Sequence, residues 1–493
     1  MNIRDPKTLV SGEGLGLNAE AFDPNKWLEG RGNTNYKKSH KSFENVCEQI
    51  KKDVGDHITN TDVVNHELLE LQHKAVIGDK QAMNHFILKI KTSLEKFKIN
   101  SSNVEYPDFY DSLEQAIFQE IWGVSILYKW EKYPHSEAAV IRGTKLWIDI
   151  NGKFEQQEEE FRDIEHVERV RRTFTLRTED SIINSQNPEL EIEREDGSRI
   201  TMLQKPRSRT HYIMFRRFIV KNLSLENQAE LGTIRKEDIP IFRALSKTMC
   251  NIGVVGRVRS AKSTFLKSLV LEREPHYIAA VMEKHFELGL SEAMPDRLIF
   301  EVQAKEGDLH IAMPRLLRME HDYIIVGEIR SLETEGYLQA TERGERGCLF
   351  TYHVTDVSDI APQMTRHLLD SFPNRKYEYE LERVARNTDI IITMGTDRDR
   401  RKKRVEAVTE IIWDNERKEC IEKDLIRYSK AADKYFYSSE ISRKLLLLMA
   451  DESFEQTKLL ISLLRDREKE SPMTEYHDHN EEILEELLGK EHA

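Results

Sequence analysis

Apolar positions are sparse and irregular at the start of the chain, and residues 1–60, polar and mixed with Gly, Asn and Lys clusters, read as a loosely ordered arm. From Thr61 to about Asn100 they fall on one helical face: Leu68, Leu69, Leu71 and Val76, then Phe86, Ile87, Ile90 and Leu94. Between 108 and 230 the pattern becomes shorter and mixed. The helical stretch DSLEQAIFQEI leads into VSILYKW. VIRGTKLWIDI and KFEQ read as a hairpin turned by Asn151-Gly152, a dipeptide suited to a type I′ turn. A charged helix is expected around Asp163–Phe174, then the strands EIEREDGSRITML, broken by an Asp196-Gly197 turn, and HYIMFRRFIV. Residues 222–246 read as helix–linker–helix, with Ser224 placed to cap the first helix.

From Cys250 the pattern changes to strand–loop–helix. NIGVVG is a short apolar run and SAKSTFLKSLVLE a helix; IAAVM, LIFEV, YIIVGEI, CLFTYHV, DIIITMG and VEAVTEII are further strands. Strands alternating with helices predict a three-layer α/β domain. Beyond about Ala431 the chain reads as helical and charged, ending in EEILEELLGKEHA, an acidic amphipathic helix or frayed tail. These shifts divide the chain into a polar arm and helical extension (1–107), an α+β domain (108–221), a linker (222–246), an α/β domain (247–430) and a charged helical tail (431–493).

Composition narrows the classes. The 493 residues suffice for two or three domains, and a formal charge of −13 makes general nucleic-acid binding a poor expectation, since phosphate contacts need clustered Lys and Arg. The basic run Arg400–Arg404 reads as a surface turn. Four dispersed cysteines form no CxxC pair, which argues against a zinc ribbon or a disulfide framework. The start MNIRDPKTLV has no apolar core segment, and the longest apolar runs fall short of the roughly 20 residues that span a bilayer. A soluble, cytoplasmic protein is expected, linked to membranes only through partners.

The chemistry concentrates in Gly256-Arg-Val-Arg-Ser-Ala-Lys262-Ser263-Thr264, which follows a strand and opens a helix, the setting of a P-loop. Loop amides and the helix N-terminus surround phosphates in such a turn. Gly256, Ser260, Ala261, Lys262, Ser263 and Thr264 are therefore candidate ATP-binding residues, with Lys262 on the β- and γ-phosphates and the Ser263 hydroxyl on Mg²⁺. Ala261 stands where the motif carries glycine. The strand Tyr323-Ile-Ile-Val-Gly-Glu328 ends in a carboxylate, as a Walker B strand does; Glu328 is placed to orient an attacking water or hold the metal's water shell. Glu283 ends an earlier strand and is a candidate for polarising water or binding Mg²⁺ through water, while Glu287 reads as a solvated helix-cap residue. His353 closes a further strand, where it can sense a γ-phosphate.

In this order the segments resemble the type II/type IV secretion ATPases, most closely the branch that drives Tad-type (Flp) pilus assembly. The resemblance runs from about Leu113 to Tyr428 and is most specific in LLRMEHDYIIVGEIRSLETEGYLQATERGERGCLFTYHVTD. It implies a RecA-like P-loop motor domain behind an α+β N-terminal domain, with helical extensions at both ends. EDGSRITML followed by IMFRRF is similar to family strands that place arginines against the nucleotide, implying Arg199, Arg216 or Arg217 as contacts. It further implies a homo-hexamer acting on a polytopic inner-membrane platform protein, without direct nucleic-acid contact. The chain departs from the family at Arg259 and Ala261, where glycines are usual, and at Lys284, where an acidic residue is usual. Two rival readings follow: a weakly hydrolysing structural or regulatory ring subunit, and a conjugation or DNA-transfer motor.

Overall fold

The computed structural model describes residues 34–56, 70–72, 74–76, 79–175, 183–193, 198–217, 222–304, 309–344, 346–397 and 402–488. By its internal contacts the chain forms two compact units: Met1–Lys132 with Glu168–Arg177, and Tyr133–Val167 with Thr178–Ala493.

The first unit is helical. Its helices include Thr34–Asp56, Lys80–Lys96 and Leu113–Ile121. Phe43, Ile50 and Val54 recur at helical spacing and are buried. Residues 34–56 are thus an amphipathic helix rather than the loose arm expected; charged neighbours dilute the apolar stripe in the linear sequence. Leu68 and Leu69 lie outside the described residues. Asp79 and Ser112 start the next two helices by accepting hydrogen bonds from the amides of Ala82 (2.8 Å) and Gln115 (3.1 Å). Phe86 packs on Phe118 and Trp122 with ring centroids 5.4 and 5.5 Å apart.

The second unit contains two sheets. The first runs β3-β2-β1-β6-β5-β4 and is antiparallel throughout. Its strands are β1 (Ala138–Arg142), β2 (Lys145–Ile150), β3 (Lys153–Glu160), β4 (Glu189–Glu193), β5 (Arg199–Leu203) and β6 (Tyr212–Arg216). Asn151 and Gly152 both take positive φ (51° and 84°), as a type I′ turn requires. The stretch expected as one strand, VIRGTKLWIDI, is two: Gly143, at φ +62°, folds β1 back onto β2. The expected Asp196-Gly197 turn lies outside the described residues. Ser224 caps the helix Leu225–Glu230, as its position suggested.

The second sheet has nine strands: β7 (Ile252–Gly256), β8 (Ala279–Glu283), β9 (Ile299–Gln303), β10 (Tyr323–Ile329), β11 (Leu349–Tyr352), β12 (Ile390–Thr396), β13 (Lys403–Asp414), β14 (Glu419–Ser429) and β15 (Lys434–Tyr437). Their order is β15-β14-β13-β12-β7-β11-β10-β8-β9. From β9 to β12 all neighbours are parallel; β13, β14 and β15 add antiparallel. The parallel strands are short apolar runs because helices cover both faces, and β7, β8 and β11 are buried at every position. One core lies on each face, around Phe265 and Leu269 on one side and Tyr337 and Phe350 on the other.

This is the RecA-like α/β arrangement expected. The strand β15 corrects the expectation of a wholly helical chain beyond Ala431; β14 was likewise unforeseen. The helices Arg443–Glu470 and Met473–Leu488 follow, the first kinked at Ser453. Since β7 sits between β11 and β12, connections leave its two sides in opposite directions. A crevice therefore opens at its carboxyl end, where such sheets bind ligands.

Candidate functional site

The crevice is built on the turn between β7 and the helix Lys262–Glu272. Gly256 leaves the strand at φ +145°, where an added Cβ would lie 2.2 Å from the Met394 carbonyl oxygen, so only glycine fits. Arg259 and Ala261 both adopt left-handed conformations, at φ 66° and 67°. Each carries a side chain where glycine is at ease, at a cost of about 1 kcal/mol. Ala261 is the N-cap and offers no side-chain acceptor. The first-turn amides of this helix are thus left for an outside acceptor, and the helix dipole favours an anion there. Ser260 is fully buried, and its Oγ has no hydrogen-bond partner among the described residues.

Lys262 is 7% exposed. Its ammonium donates to the Arg257 carbonyl oxygen (3.0 Å) and to His353 Nδ1 (3.1 Å), which places the ring proton on Nε2. Burial lowers the Lys262 pKa to about 8. His353, just beyond β11, turns Nε2 to within 2.8 Å of Glu328 Oε1, an ion-pair distance off the angle of a strong hydrogen bond. The second Glu328 oxygen accepts from Arg330 at 2.5 Å. Burial opposes ionisation of Glu328, but its contacts with His353 and Arg330 outweigh it and hold the carboxyl at about 2. Three strand ends thus meet in one chain of polar contacts from Arg330 through Glu328 and His353 to Lys262. Ser263 and Thr264, half-buried, line the same cavity.

Glu283 stands apart from that cavity. It packs against Gly327, where a Cβ would come within 2.5 Å of its Cγ. One carboxyl oxygen accepts from the amides of Glu287 (3.2 Å) and Leu288 (3.0 Å); the other is buried with no hydrogen-bond partner among the described residues. Burial raises its pKa to about 8, so at neutral pH the protonated form predominates. As pH rises from the usual 4.5 towards 8, the unfolded chain ionises while the folded one does not, and stability falls. Glu283→Gln is expected to remove that slope and to stabilise the protein near pH 8 by on the order of 2 kcal/mol or more. Urea titrations at about pH 5 and pH 8 check this; parallel curves for the two proteins would refute it.

The three arginines expected against the nucleotide behave differently. Arg199 pairs with Glu287 and lies 3.2 Å from Glu191. Arg217 donates to the backbone carbonyls of Ser136 (2.9 Å) and Tyr133. The Arg216 side chain lines the cavity with no hydrogen bond or ion pair among the described residues, and burial lowers its pKa. Glu287, expected as a solvated cap, is instead half-buried on Arg199 and lines the cavity. Sequence reading also passed over Arg330, and the pairing of Arg259 with Asp149 on β2 at 3.4 Å. The EIR tripeptide could have pointed to Arg330; nothing near Arg259 points to Asp149.

Residues 159–371 match the family model described as Type II/IV secretion system protein. This segment belongs to the type II/IV secretion system protein family. The family segment holds the P-loop, Glu328, His353 and the three arginines. No curated protein sequence matches the chain. Among solved structures, the chain is similar to the Legionella pneumophila ATPase DotB (14% identity, 74% of this chain and 90% of that one, TM-score 0.42). It is also similar to the pilus retraction motor PilT with bound ADP (14%, 68% and 88%, 0.41). A third is the VirB11 ATPase of the Brucella suis type IV secretion system (17%, 58% and 92%, 0.31). These likenesses are distant, and the assignment of residues 159–371 to the type II/IV secretion system protein family rests on the family match alone. No helix among the described residues is long and apolar enough to cross a membrane.

Proposed function

We propose that this protein is a cytoplasmic motor ATPase of a secretion or pilus-assembly machine. The observation that carries the reading is the meeting of Lys262, Glu328 and His353, from three strand ends, in a cavity floored by an uncapped helix N-terminus. The residues fit a nucleotide phosphate chain: the first-turn amides and Lys262 take phosphate oxygens, Ser263 offers its hydroxyl to Mg²⁺, and Arg216 adds an uncommitted cation. Bound Mg²⁺ would supply charge neutralisation on the transferred phosphoryl group. Glu328, ionised at neutral pH, orients the attacking water. His353 is hydrogen-bonded to Lys262, with its other ring nitrogen 2.8 Å from Glu328, and is placed to respond when phosphate displaces the Lys262 contact. Most phosphoryl-transfer catalysis is positioning and charge stabilisation, so this small set suffices.

On this reading residues 108–221 and 247–430 are the N-terminal and motor domains, joined by a linker, and six copies form a ring that drives a polytopic membrane platform, as in the Tad-type branch. A second reading, a structural or regulatory ring subunit that turns over slowly, is favoured by the side chains at Arg259 and Ala261, which stiffen the loop.

Mg²⁺-dependent phosphate release by the purified protein, with fluorescent ATP-analogue binding in parallel, tests both. Turnover supports the motor, binding without turnover the regulatory subunit, and neither from folded protein refutes the ATPase reading. The charged Lys262 is the binding form and its pKa is about 8. Affinity is therefore expected to be level below pH 8 and to fall about tenfold per unit above it. Lys262→Arg, which stays charged, is expected to abolish the fall; an unchanged slope would separate it from Lys262.

A further inference from the structure

The second glycine position of the P-loop is occupied by Arg259, and its guanidinium does not point at the phosphate site alone. It pairs with Asp149 at 3.4 Å and lies over the Phe154 ring, 5.1 Å from the centroid. Asp149 and Phe154 are cross-strand partners in the β2–β3 hairpin, so one hairpin face supplies both the anion and the ring. Both charged side chains are nearly buried, at 11% and 6% exposure. The other oxygen of Asp149 has no hydrogen-bond partner among the described residues. Moving Arg259 onto a phosphate would therefore strand a buried carboxylate, which is costly.

From this geometry we infer that Arg259 is a positioning residue: a clasp that fastens the P-loop to the hairpin and keeps the left-handed turn formed. Glycine reaches such a turn without strain but leaves the loop free. Here the turn is strained at Arg259 and held from outside, so loop conformation and hairpin position become one variable. The order in which the loop opens for nucleotide is then set partly by Asp149 and Phe154, which touch no phosphate. The inference rests on the nucleotide-binding reading for its functional consequence, though the clasp itself can be tested without nucleotide.

The experiment is a double-mutant cycle on the full chain, read by fluorescent ATP-analogue affinity and by hydrogen exchange of the amides of residues 257–262 in nucleotide-free protein. Arg259→Ala and Asp149→Asn are each expected to weaken binding about tenfold and to speed loop exchange about as much, and the double variant to be no worse than either. Arg259→Gly is expected to recover most of the affinity, because glycine takes the turn unaided, while exchange stays fast. It also serves as the well-folded variant if Arg259→Ala is unstable. If Asp149→Asn leaves affinity unchanged or tightens it while Arg259→Ala weakens it, Arg259 acts on phosphate directly and the clasp is refuted. Additive effects in the cycle, or unaltered exchange in both single variants, refute it too. Should the wild-type chain fail to bind nucleotide, the ATPase reading falls, and the exchange rates still decide the clasp.

Discussion

Lys262→Ala is expected to lower Mg²⁺-dependent phosphate release by about a hundred-fold or more and to weaken nucleotide binding as well. The side chain is nearly buried, and its ammonium is the cation at the head of the helix that the loop leaves uncapped. Its present partners, the Arg257 carbonyl and His353 Nδ1, are groups a phosphate oxygen can replace, since both accept from the ammonium as a phosphate would. Truncation removes the charge and also frees His353 to turn away from Glu328. Circular dichroism should show an intact fold, because Lys262 lies at the first turn of its helix, at the cavity, and is not among the apolar side chains of the core around Phe265 and Leu269. Retained turnover in the folded variant would dissociate the P-loop from hydrolysis.

Glu328→Gln is expected to act on a different step. Hydrolysis should fall about a hundred- to a thousand-fold while nucleotide affinity stays within a few-fold. The carboxylate stands near the end of strand β10, facing the cavity between Arg330 and His353, and the amide keeps its size while losing its charge. Because the group is held at about 2, it is ionised throughout the range where the protein would be assayed, and turnover should not drop in mild acid on its account. Phosphate release and binding measured on the same samples decide the matter. Equal loss of both would mean that Glu328 organises the loop rather than the attacking water.

The contrast between Glu328 and Glu283 shows how far residue type alone reaches. Both are glutamates at the ends of parallel strands, and both read as candidates for water or metal. Glu328 has Arg330 and His353 beside it and stays charged; Glu283 is packed against Gly327 with backbone amides on one oxygen and is pushed up to about 8. Arg330 and the amides that Glu283 accepts from lie within five positions, but His353, 25 positions from Glu328, Gly327, 44 from Glu283, and the degree of desolvation are not written near either residue. The arginines divide in the same way. Arg199 and Arg217 are consumed by Glu287 and by backbone carbonyls, and Arg216, between them in space and adjacent to one of them in sequence, lines the cavity.

Local pattern determined a good deal by itself. Short apolar runs alternating with helices require a parallel sheet covered on both faces, and β7 to β12 follow that reading closely. A glycine leaving a strand, followed by Lys-Ser at a helix start, is a local geometry, so the P-loop was legible even with Arg259 and Ala261 in it. The tertiary structure decided what depends on distant partners. Gly143 splits an apparently continuous strand because β2 must return beside β1. The strands β14 and β15 exist because β13 offers an antiparallel edge, despite their charged sequence. The helix Thr34–Asp56 is visible only through the burial of its thin apolar stripe. Arg259 meets Asp149 from 110 positions along the chain, and a buried ion pair leaves no trace in either residue's sequence neighbourhood, since charge and packing act through space and a sequence records only what lies next along the chain.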